Sequence, residues 1–245
     1  MRSRTGGGRR VRTAVATGAL VALAMPVLSA DGAVRAGRSI EVFTESDLVM
    51  LAGYPPSTKV RVEVLRHGFV VGSATKSTDF AGGIEINHVG GLAGDCFDLP
   101  SSPDIQPSDT IRATVLGTGG APDTSVVRGV SIAGVEFGTT TITVSGHVEL
   151  TGPGAVDPAT DVLELRINKE TDWDGIGRSD LREPIGGSVD PLTGDWVHVL
   201  TVSESDAAEA ALESDTVLEW SDASLSELTI AEAGEPEPLE GCPPP

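Results

Sequence analysis

The sequence is poor in aromatic and basic residues, and each shortage excludes a class of protein. Three Trp, one Tyr and five Phe among 245 residues are few for a platform that stacks sugars. Lys and Arg number 17 against 36 Asp and Glu, a formal net charge of −19. Such a surface repels nucleic acids and anionic lipids, because phosphate contacts require Lys and Arg. We therefore expect no nucleic-acid partner, and no membrane partner beyond a leader peptide.

Long apolar runs are scarce too, and the one that stands out lies near the start. Five arginines precede an apolar stretch at 14–28 with small residues after it, which is the composition of a secretory signal peptide. The stretch has about 15 residues, whereas a membrane span needs about 20. We predict a leader at 1–30, with cleavage after Ala30 or after Ala36, and a secreted or cell-envelope protein. A twin-arginine signal and an uncleaved anchor are the alternatives.

Removal of the leader sharpens the charge imbalance. Twelve basic residues then remain against 36 acidic ones, so the formal net charge of the mature chain is near −24. This balance favours solubility and loose binding of cations.

Cysteine is almost absent. Cys96 and Cys242 are the two in the chain, and an even count in an exported protein suggests a disulfide. That bond would close a very long loop and pin the C-terminal tail to the first half. Two unpaired thiols, or a bridge from Cys242 to another chain, remain as alternatives.

Alternation of apolar and polar residues predicts strands. The three valines of Lys59–Leu65 fall on one face of a strand and its charged residues on the other. Gly68 and the Gly82-Gly83 pair mark tight turns before Phe69–Ala74 and Ile84–Asn87. We predict that these three strands form an antiparallel meander with one buried face.

The same alternation recurs along the rest of the chain, with one short helix predicted at Ser205–Glu213. The further predicted strands are Ser39–Phe43, Leu48–Leu51, Thr110–Leu116, Ser125–Ile132, Ile142–Leu150, Val162–Ile167, Trp196–Val202, Val217–Trp220 and Leu228–Ile230.

The two halves repeat weakly. Val60–Val64 corresponds to Val162–Ile167, the turn and strand from Asp79 correspond to those from Asp190, and Ser108–Ile111 corresponds to Ser214–Val217. The offsets are about 103, 111 and 106 residues, near the ~100 residues of one immunoglobulin-type sandwich.

We therefore predict an all-β chain of two tandem immunoglobulin-like antiparallel β-sandwiches after an N-terminal signal helix. The predicted segments are a signal peptide at 1–30, a spacer at 31–38, the first sandwich at 39–133, the second at 134–232 and a disordered, acidic and proline-rich tail at 233–245.

The turn Asp190-Pro-Leu-Thr-Gly-Asp-Trp196 resembles a hairpin that is frequent in bacterial immunoglobulin-like and fibronectin-type-III-like modules of secreted and surface proteins. The resemblance covers both halves and implies a pair of β-sandwiches. The chain departs from it in two ways, because neither half has its own cysteine pair and the first half has no Trp. The resemblance implies no catalytic residues.

One acidic loop resembles the first half of a calcium loop. Glu170, Asp172, Asp174 and Asp180 would be the ligands, since Ca²⁺ prefers several carboxylate oxygens around a tight turn. The position where a bidentate acid is expected is Leu181, so a solvated acidic loop without a metal is the alternative.

Other candidate residues have simpler interpretations. Trp173, in the acidic loop, is predicted to contact a ligand, while Trp196 and Trp220 are predicted to be core residues. The histidines lack metal-ligand spacing, and His147 and His198 are predicted on exposed strand faces.

No motif for catalysis is present. A Gly-x-Ser-x-Gly elbow and a phosphate-binding glycine loop are both absent from the sequence. We predict no catalytic residue, and a non-enzymatic secreted or cell-envelope protein that acts as a binding or spacer module. Its partner would be an unknown protein or a cell-wall polymer, and calcium is the one cofactor considered. An accessory carbohydrate-binding module and an unrecognised secreted hydrolase are the alternatives.

Overall fold

The structure, a computed structural model, describes residues 33–87, 96–98, 103–167, 181–213, 216–233 and 242. Within them the chain forms fourteen strands, one α-helix, α1 (Glu204–Glu213), and a 3₁₀ helix at Gly186–Ser188, which confirms the predicted all-β class. The strands are β1 (Ser39–Phe43), β2 (Leu48–Ala52), β3 (Lys59–Arg66), β4 (Phe69–Ser77), β5 (Ile84–Ile86), β6 (Thr110–Val115), β7 (Asp123–Val126), β8 (Val130–Phe137), β9 (Thr141–Val148), β10 (Val162–Ile167), β11 (Leu181–Pro184), β12 (Asp195–Thr201), β13 (Thr216–Ser221) and β14 (Glu227–Glu232).

The strands form three sheets. A seven-stranded sheet has the order β11-β10-β13-β14-β1-β2-β5, a four-stranded sheet the order β4-β3-β6-β7, and a three-stranded sheet the order β12-β9-β8. β1 and β14 run parallel, and the other strand pairs among the described residues are antiparallel.

The two halves have the same topology. The group β1-β2-β5 of the first half corresponds to β8-β9-β12 of the second, and the order β4-β3-β6-β7 corresponds to β11-β10-β13-β14. The three sequence landmarks pair equivalent strands, because they match β3 with β10, β5 with β12 and β6 with β13. The weak repeat in the sequence therefore marks a structural repeat.

Each half also builds its own apolar core between two sheets, because the inward positions of its strands alternate with outward ones. The first core takes side chains from Val34 to Val127, and the second takes side chains from Val130 to Ala231. Core membership thus changes across residues 128 and 129, whereas the predicted boundary at 133 and 134 falls inside β8.

The two sandwiches share the seven-stranded sheet. Its halves join where β1 lies parallel to β14, with Ile40 opposite Glu227 and Phe43 opposite Ile230. Residues opposite each other on neighbouring strands lie on the same face of a sheet. Thr229 is opposite Val42 of the first core and opposite Trp220 of the second core, so both cores lie on the same face of this sheet. Residues 31–245 accordingly form one compact unit.

Further contacts cross this seam, by which we mean the β1–β14 pair and the loops beside it. The backbone N–H of Arg128 donates to Thr229 Oγ1 at 3.0 Å, and its guanidinium lies 4.4 Å from the centre of the Trp220 ring. The backbone N–H of Gly154 donates to Ser108 Oγ at 3.1 Å. Polar and cation–π contacts therefore reinforce the strand pairing.

The predicted meander is wrong in its third strand. β3 and β4 form the expected hairpin, but β5 pairs with β2 in the other sheet. Gly82, at φ +86°, allows this because a side chain there would begin 2.0 Å from the Tyr54 carbonyl oxygen. The turn packs directly on the end of β2, and the chain crosses between sheets.

The predicted strand Ser125–Ile132 is two strands, β7 and β8, which lie in different sheets. The break falls at Gly129, whose N–H donates to the Gly154 carbonyl at 2.9 Å and whose carbonyl accepts the Glu149 N–H at 2.7 Å. These hydrogen bonds hold the chain where it leaves the four-stranded sheet and enters the three-stranded sheet.

The described part of the predicted spacer, residues 33–38, packs against the first sandwich. Val34 belongs to the first core, and Arg38 Nη1 lies 2.6 Å from Oδ2 of the fully buried Asp123. One strand, β11, is not among those that the sequence predicts, and it pairs with β10.

Candidate functional site

Three hydrogen-bonded side chains lie at one edge of the second sandwich. Ser188 Oγ is 2.9 Å from His198 Nδ1, and His198 Nε2 is 2.8 Å from Glu183 Oε2. Glu183 comes from β11, at the edge of the seven-stranded sheet, and His198 from β12, at the edge of the three-stranded sheet. Ser188 ends the 3₁₀ helix between them. We call these three residues the Ser-His-Glu chain.

Strand alternation turns His198 inward. In β12, Trp196 and Leu200 are buried and Val197 and Val199 are exposed, so His198 shares the inward side of the strand. Its side chain is 16% exposed, and the prediction of an exposed strand face is wrong for it. His147 does lie on an exposed face, where its Nδ1 is 3.0 Å from Asp195 Oδ1 and its hydrogen bond lowers the pKa of that carboxyl.

The hydrogen-bond partners select the tautomer of the neutral imidazole. An ionised carboxylate only accepts hydrogen bonds, so His198 Nε2 carries the proton that points to Glu183. In the neutral ring Nδ1 is then the acceptor, and the Ser188 hydroxyl donates to it. The arrangement can pass a proton from Ser188 to His198 while Glu183 holds the ring in place.

The internal repeat shows what occupies the position of His198 in the other half. Asp79 and Asp190 open equivalent turns, in which the carboxylate accepts the N–H two residues later at 2.8 Å. Each turn then reaches a glycine with positive φ, Gly82 at +86° and Gly194 at +81°. These features align the two turns residue for residue from the glycine onward.

Counting four residues from each glycine pairs Ile86 of β5 with His198 of β12. Ile86 is fully buried in the first core. The second half thus has a histidine where the first has a core isoleucine. The sequence comparison matched these two turns and strands without pairing their residues one by one, so it did not show that a histidine replaces a core isoleucine.

The residues predicted to bind calcium or to contact a ligand fall in one segment of the chain. Glu170, Asp172, Asp174, Asp180 and Trp173 lie outside the described residues, so the calcium and ligand-contact hypotheses stay predictions. Across the part of the chain that the structure describes, no group of three or more His, Cys, Asp or Glu side chains is placed to hold a metal ion.

The remaining predicted residues have clear positions. Cys96 and Cys242 form a disulfide with their Cα atoms 5.4 Å apart, which is the first of the three alternatives. Trp196 and Trp220 are both buried in the second core, as predicted. The Trp220 indole N–H donates to Asp161 Oδ2 at 2.9 Å.

Buried and half-buried carboxyl groups collect in the seven-stranded sheet and in the turn between β1 and β2. Burial raises the pKa of Asp47 to about 6, although its Oδ1 accepts the Ile105 N–H at 2.6 Å. Burial also raises the pKa of Glu45, whose Oε2 accepts the Glu232 N–H at 3.0 Å. The pKa values of three further carboxyls in the seven-stranded sheet are raised for the same reason: Glu41, Glu219 and Glu227. In so acidic a chain, sequence spacing cannot single these residues out.

An open recess lies at the seam. Arg38 and Gly53 of the first half and Ser224, Leu225 and Ser226 of the second contribute to its wall. The side chain of Leu225 is exposed at its rim, and both halves are needed to form it.

The chain has little similarity to known proteins. No family model and no curated protein sequence matches it. Among solved structures, the BSP domain of a biofilm-associated protein is 14% identical over 82% of this chain and 29% of its own, with a TM-score of 0.26. A tetra-tandem repeat from the extending region of a large adhesion protein is 15% identical over 82% of this chain and 49% of its own, with a TM-score of 0.23.

A third structure, a DUF3823 family protein from Parabacteroides merdae, is 9% identical over 82% of this chain and 100% of its own, with a TM-score of 0.29. The chain spans less than half of the length of the first two. At these scores the similarities carry no functional argument.

Among the described helices, none has the length and hydropathy to cross a bilayer.

Proposed function

We propose that this chain is an exported protein of the cell envelope or the extracellular space, where it acts as a rigid binding or spacer module. The observation that carries the proposal is the parallel pairing of β1 with β14, which makes one sheet out of parts of two sandwiches. Modules joined by a linker alone move against each other by default. Modules that share a sheet hold a fixed distance and orientation.

The covalent chemistry supports the exported location. The Cys96–Cys242 disulfide is the kind of bond that persists in oxidising compartments and is rare in the cytosol. It ties the C-terminal end of the chain to the first half. The arginine-rich leader predicted at 1–30 and the acidic mature surface agree with the same location.

The recess at the seam supports the binding role. It exists only while the two halves keep their relative position, so rigidity and binding depend on the same contacts. Hydroxyl groups of Ser224 and Ser226 and the apolar side chain of Leu225 give it the mixed lining that suits a polar polymer or a protein loop.

The test is a pull-down of the mature chain with purified cell-wall polymer and with exported proteins of its source. We expect retention by the wall polymer, and loss of it in Leu225→Asp. Leu192→Asp, which changes a leucine that is 90% exposed in the turn before β12 and does not line the recess, is the matched control and should bind normally. If both variants bind equally, the contact lies outside the recess. If the native chain is not retained at all, the binding role is excluded and only the spacer role remains.

Calcium binding by Glu170, Asp172, Asp174 and Asp180 is part of the proposal, because Ca²⁺ prefers several carboxylate oxygens. Titration with calcium should change the fluorescence of the native chain and not that of Trp173→Phe. No response at millimolar calcium would end this part of the proposal.

A further inference from the structure

We propose that Ser188, His198 and Glu183 form a reactive serine site that attacks carboxylic esters. This inference goes beyond the binding or spacer role and does not depend on it. It contradicts the sequence-based expectation of a chain without catalytic residues. Ser188 is the nucleophile, His198 the general base and Glu183 the group that orients the base.

The geometry meets the requirements for an activated serine. A nucleophile and its base must lie within hydrogen-bond reach, and a third group must hold the base. The two distances, 2.9 Å for Ser188 Oγ to His198 Nδ1 and 2.8 Å for His198 Nε2 to Glu183 Oε2, meet both conditions. Groups of a serine, a histidine and a carboxylate occur on unrelated folds and in different chain orders, so geometry identifies them and sequence position does not. Here the imidazole is turned the other way from the serine-protease triad, because Nδ1 faces the serine and Nε2 the carboxylate.

The internal repeat indicates that the histidine is not needed for folding. The equivalent position in the first half is Ile86, which is fully buried and packs normally in its core. A polar ring at a core position costs free energy unless its polar atoms are bonded. His198 meets that condition through Ser188 and Glu183, so the second half carries a polar site that the fold itself does not require.

The site is open to a substrate. Glu183 is 48% exposed, and Ser188 follows two glycines in the 3₁₀ helix. Gly187 is exposed, and apart from its own atoms and those of its two chain neighbours, no atom lies within 4 Å of the point where a side chain would begin. An ester group on a small molecule, or one projecting from a polymer, can therefore approach the Ser188 hydroxyl from the side of the glycine.

The reaction is a two-step acyl transfer. Ser188 Oγ forms a bond to the ester carbonyl carbon while its proton moves to His198 Nδ1. The carbon–oxygen bond to the alcohol then breaks, and the alcohol leaves with that proton. Water attacks the resulting acyl-serine by the same path, so the products are a carboxylic acid and an alcohol and no reactant besides water is required.

The test measures labelling of the full mature chain by a fluorophosphonate probe and its hydrolysis of p-nitrophenyl acetate. We expect the probe on Ser188 by mass spectrometry, and no labelling there in Ser188→Ala. His198→Ile installs the residue of the first half, and labelling should fall about 100-fold or more, the usual contribution of a positioned base. Glu183→Gln keeps an acceptor for Nε2 but removes the charge, and the rate should fall about tenfold or more.

Ser205→Ala is the matched control, because Ser205 is exposed on α1 and its hydroxyl partner is another serine, Ser203. It should label like the native chain. Circular dichroism and urea unfolding check that each variant folds. If His198→Ile fails to fold, Ser188→Ala and Glu183→Gln still test the site. The proposal is overturned if the native chain is not labelled at Ser188, or if Ser188→Ala or Glu183→Gln hydrolyses the ester at the native rate. Either result leaves the outcome of the pull-down unaffected.

Discussion

At the residue scale, Gly146 in β9 shows how closely one core is packed. A side chain there would begin 2.0 Å from the Ser131 carbonyl oxygen and 2.5 Å from Cζ2 of Trp196. The buried indole therefore packs directly on the Gly146 backbone, and Ser131 and Trp196 are held in place by the sheet and the core.

We predict that Gly146→Ala lowers the free energy of unfolding by about 2 to 3 kcal/mol, the usual cost of overpacking a core. Gly134→Ala in the neighbouring β8 is the matched control, because the nearest atom to its new methyl group is Ser145 Oγ at 3.7 Å. Urea denaturation of both variants checks the prediction, which is wrong if the two lose the same stability.

Asp47 is one of the residues that make stability depend on pH. Burial raises its pKa from 3.8 to about 6, so the folded chain holds this proton more tightly than the unfolded chain. Its contribution to stability is therefore complete below about pH 3.8 and is lost as the pH rises to about 6.

Asp47→Asn should remove this dependence. The amide oxygen can still accept the Ile105 N–H, and Asn tolerates the positive φ of 52° at this position. We expect the variant to gain about 1 kcal/mol on the native chain between pH 4.5 and pH 7.5, a value reduced for solvent screening. Urea unfolding at both pH values measures it, with Glu209→Gln on the exposed face of α1 as the control that should show no gain.

At the element scale, the disulfide and the β1–β14 pair both join distant parts of the chain. Cys96 and Cys242 are 146 residues apart, so their bond closes most of the described chain into a loop. A cross-link over so long a loop removes much conformational freedom from the unfolded chain.

Reduction of the disulfide should therefore lower the free energy of unfolding by about 5 kcal/mol on the chain-entropy account. Denaturation with and without a reductant measures the loss. The double variant Cys96→Ser, Cys242→Ser should start at the reduced value and not respond to reductant. A native chain as stable reduced as oxidised would show that the loop is already restricted when unfolded.

At the scale of the whole molecule, the shared sheet should make the two sandwiches unfold together. The three tryptophans all lie in the second half, so fluorescence reports only on that half. In the background without cysteines, Val62→Ala in the first core should still lower the fluorescence-detected urea midpoint, with a loss of about 2 kcal/mol.

Leu165→Ala in the second core is the matched variant for the other half, and it should shift the same transition. A second probe, circular dichroism, should give coincident curves for both variants. If Val62→Ala leaves the fluorescence midpoint in place, the halves fold independently and the rigid-module proposal loses its basis.

The candidate site shows the limit of sequence reasoning in particular residues. Alternation in Trp196–Val202 predicts the strand, but a histidine in such a run is assigned to the polar face by default. Trp196 and Leu200 show that His198 lies on the inward side. Its partners, Ser188 and Glu183, come from a 3₁₀ helix and a four-residue strand, both too short for a periodic signal.

The amino-acid sequence by itself determined most of the strands, the two-fold repeat and the all-β class, because these depend on alternation and turn residues within a few positions of one another. Only the tertiary structure decided which strands became neighbours. The pairing of β1 with β14, the crossing of β5 to β2 and the meeting of Ser188 with His198 depend on backbone hydrogen bonds and packing between distant segments. Backbone groups are the same in every residue, so no local pattern specifies their partners.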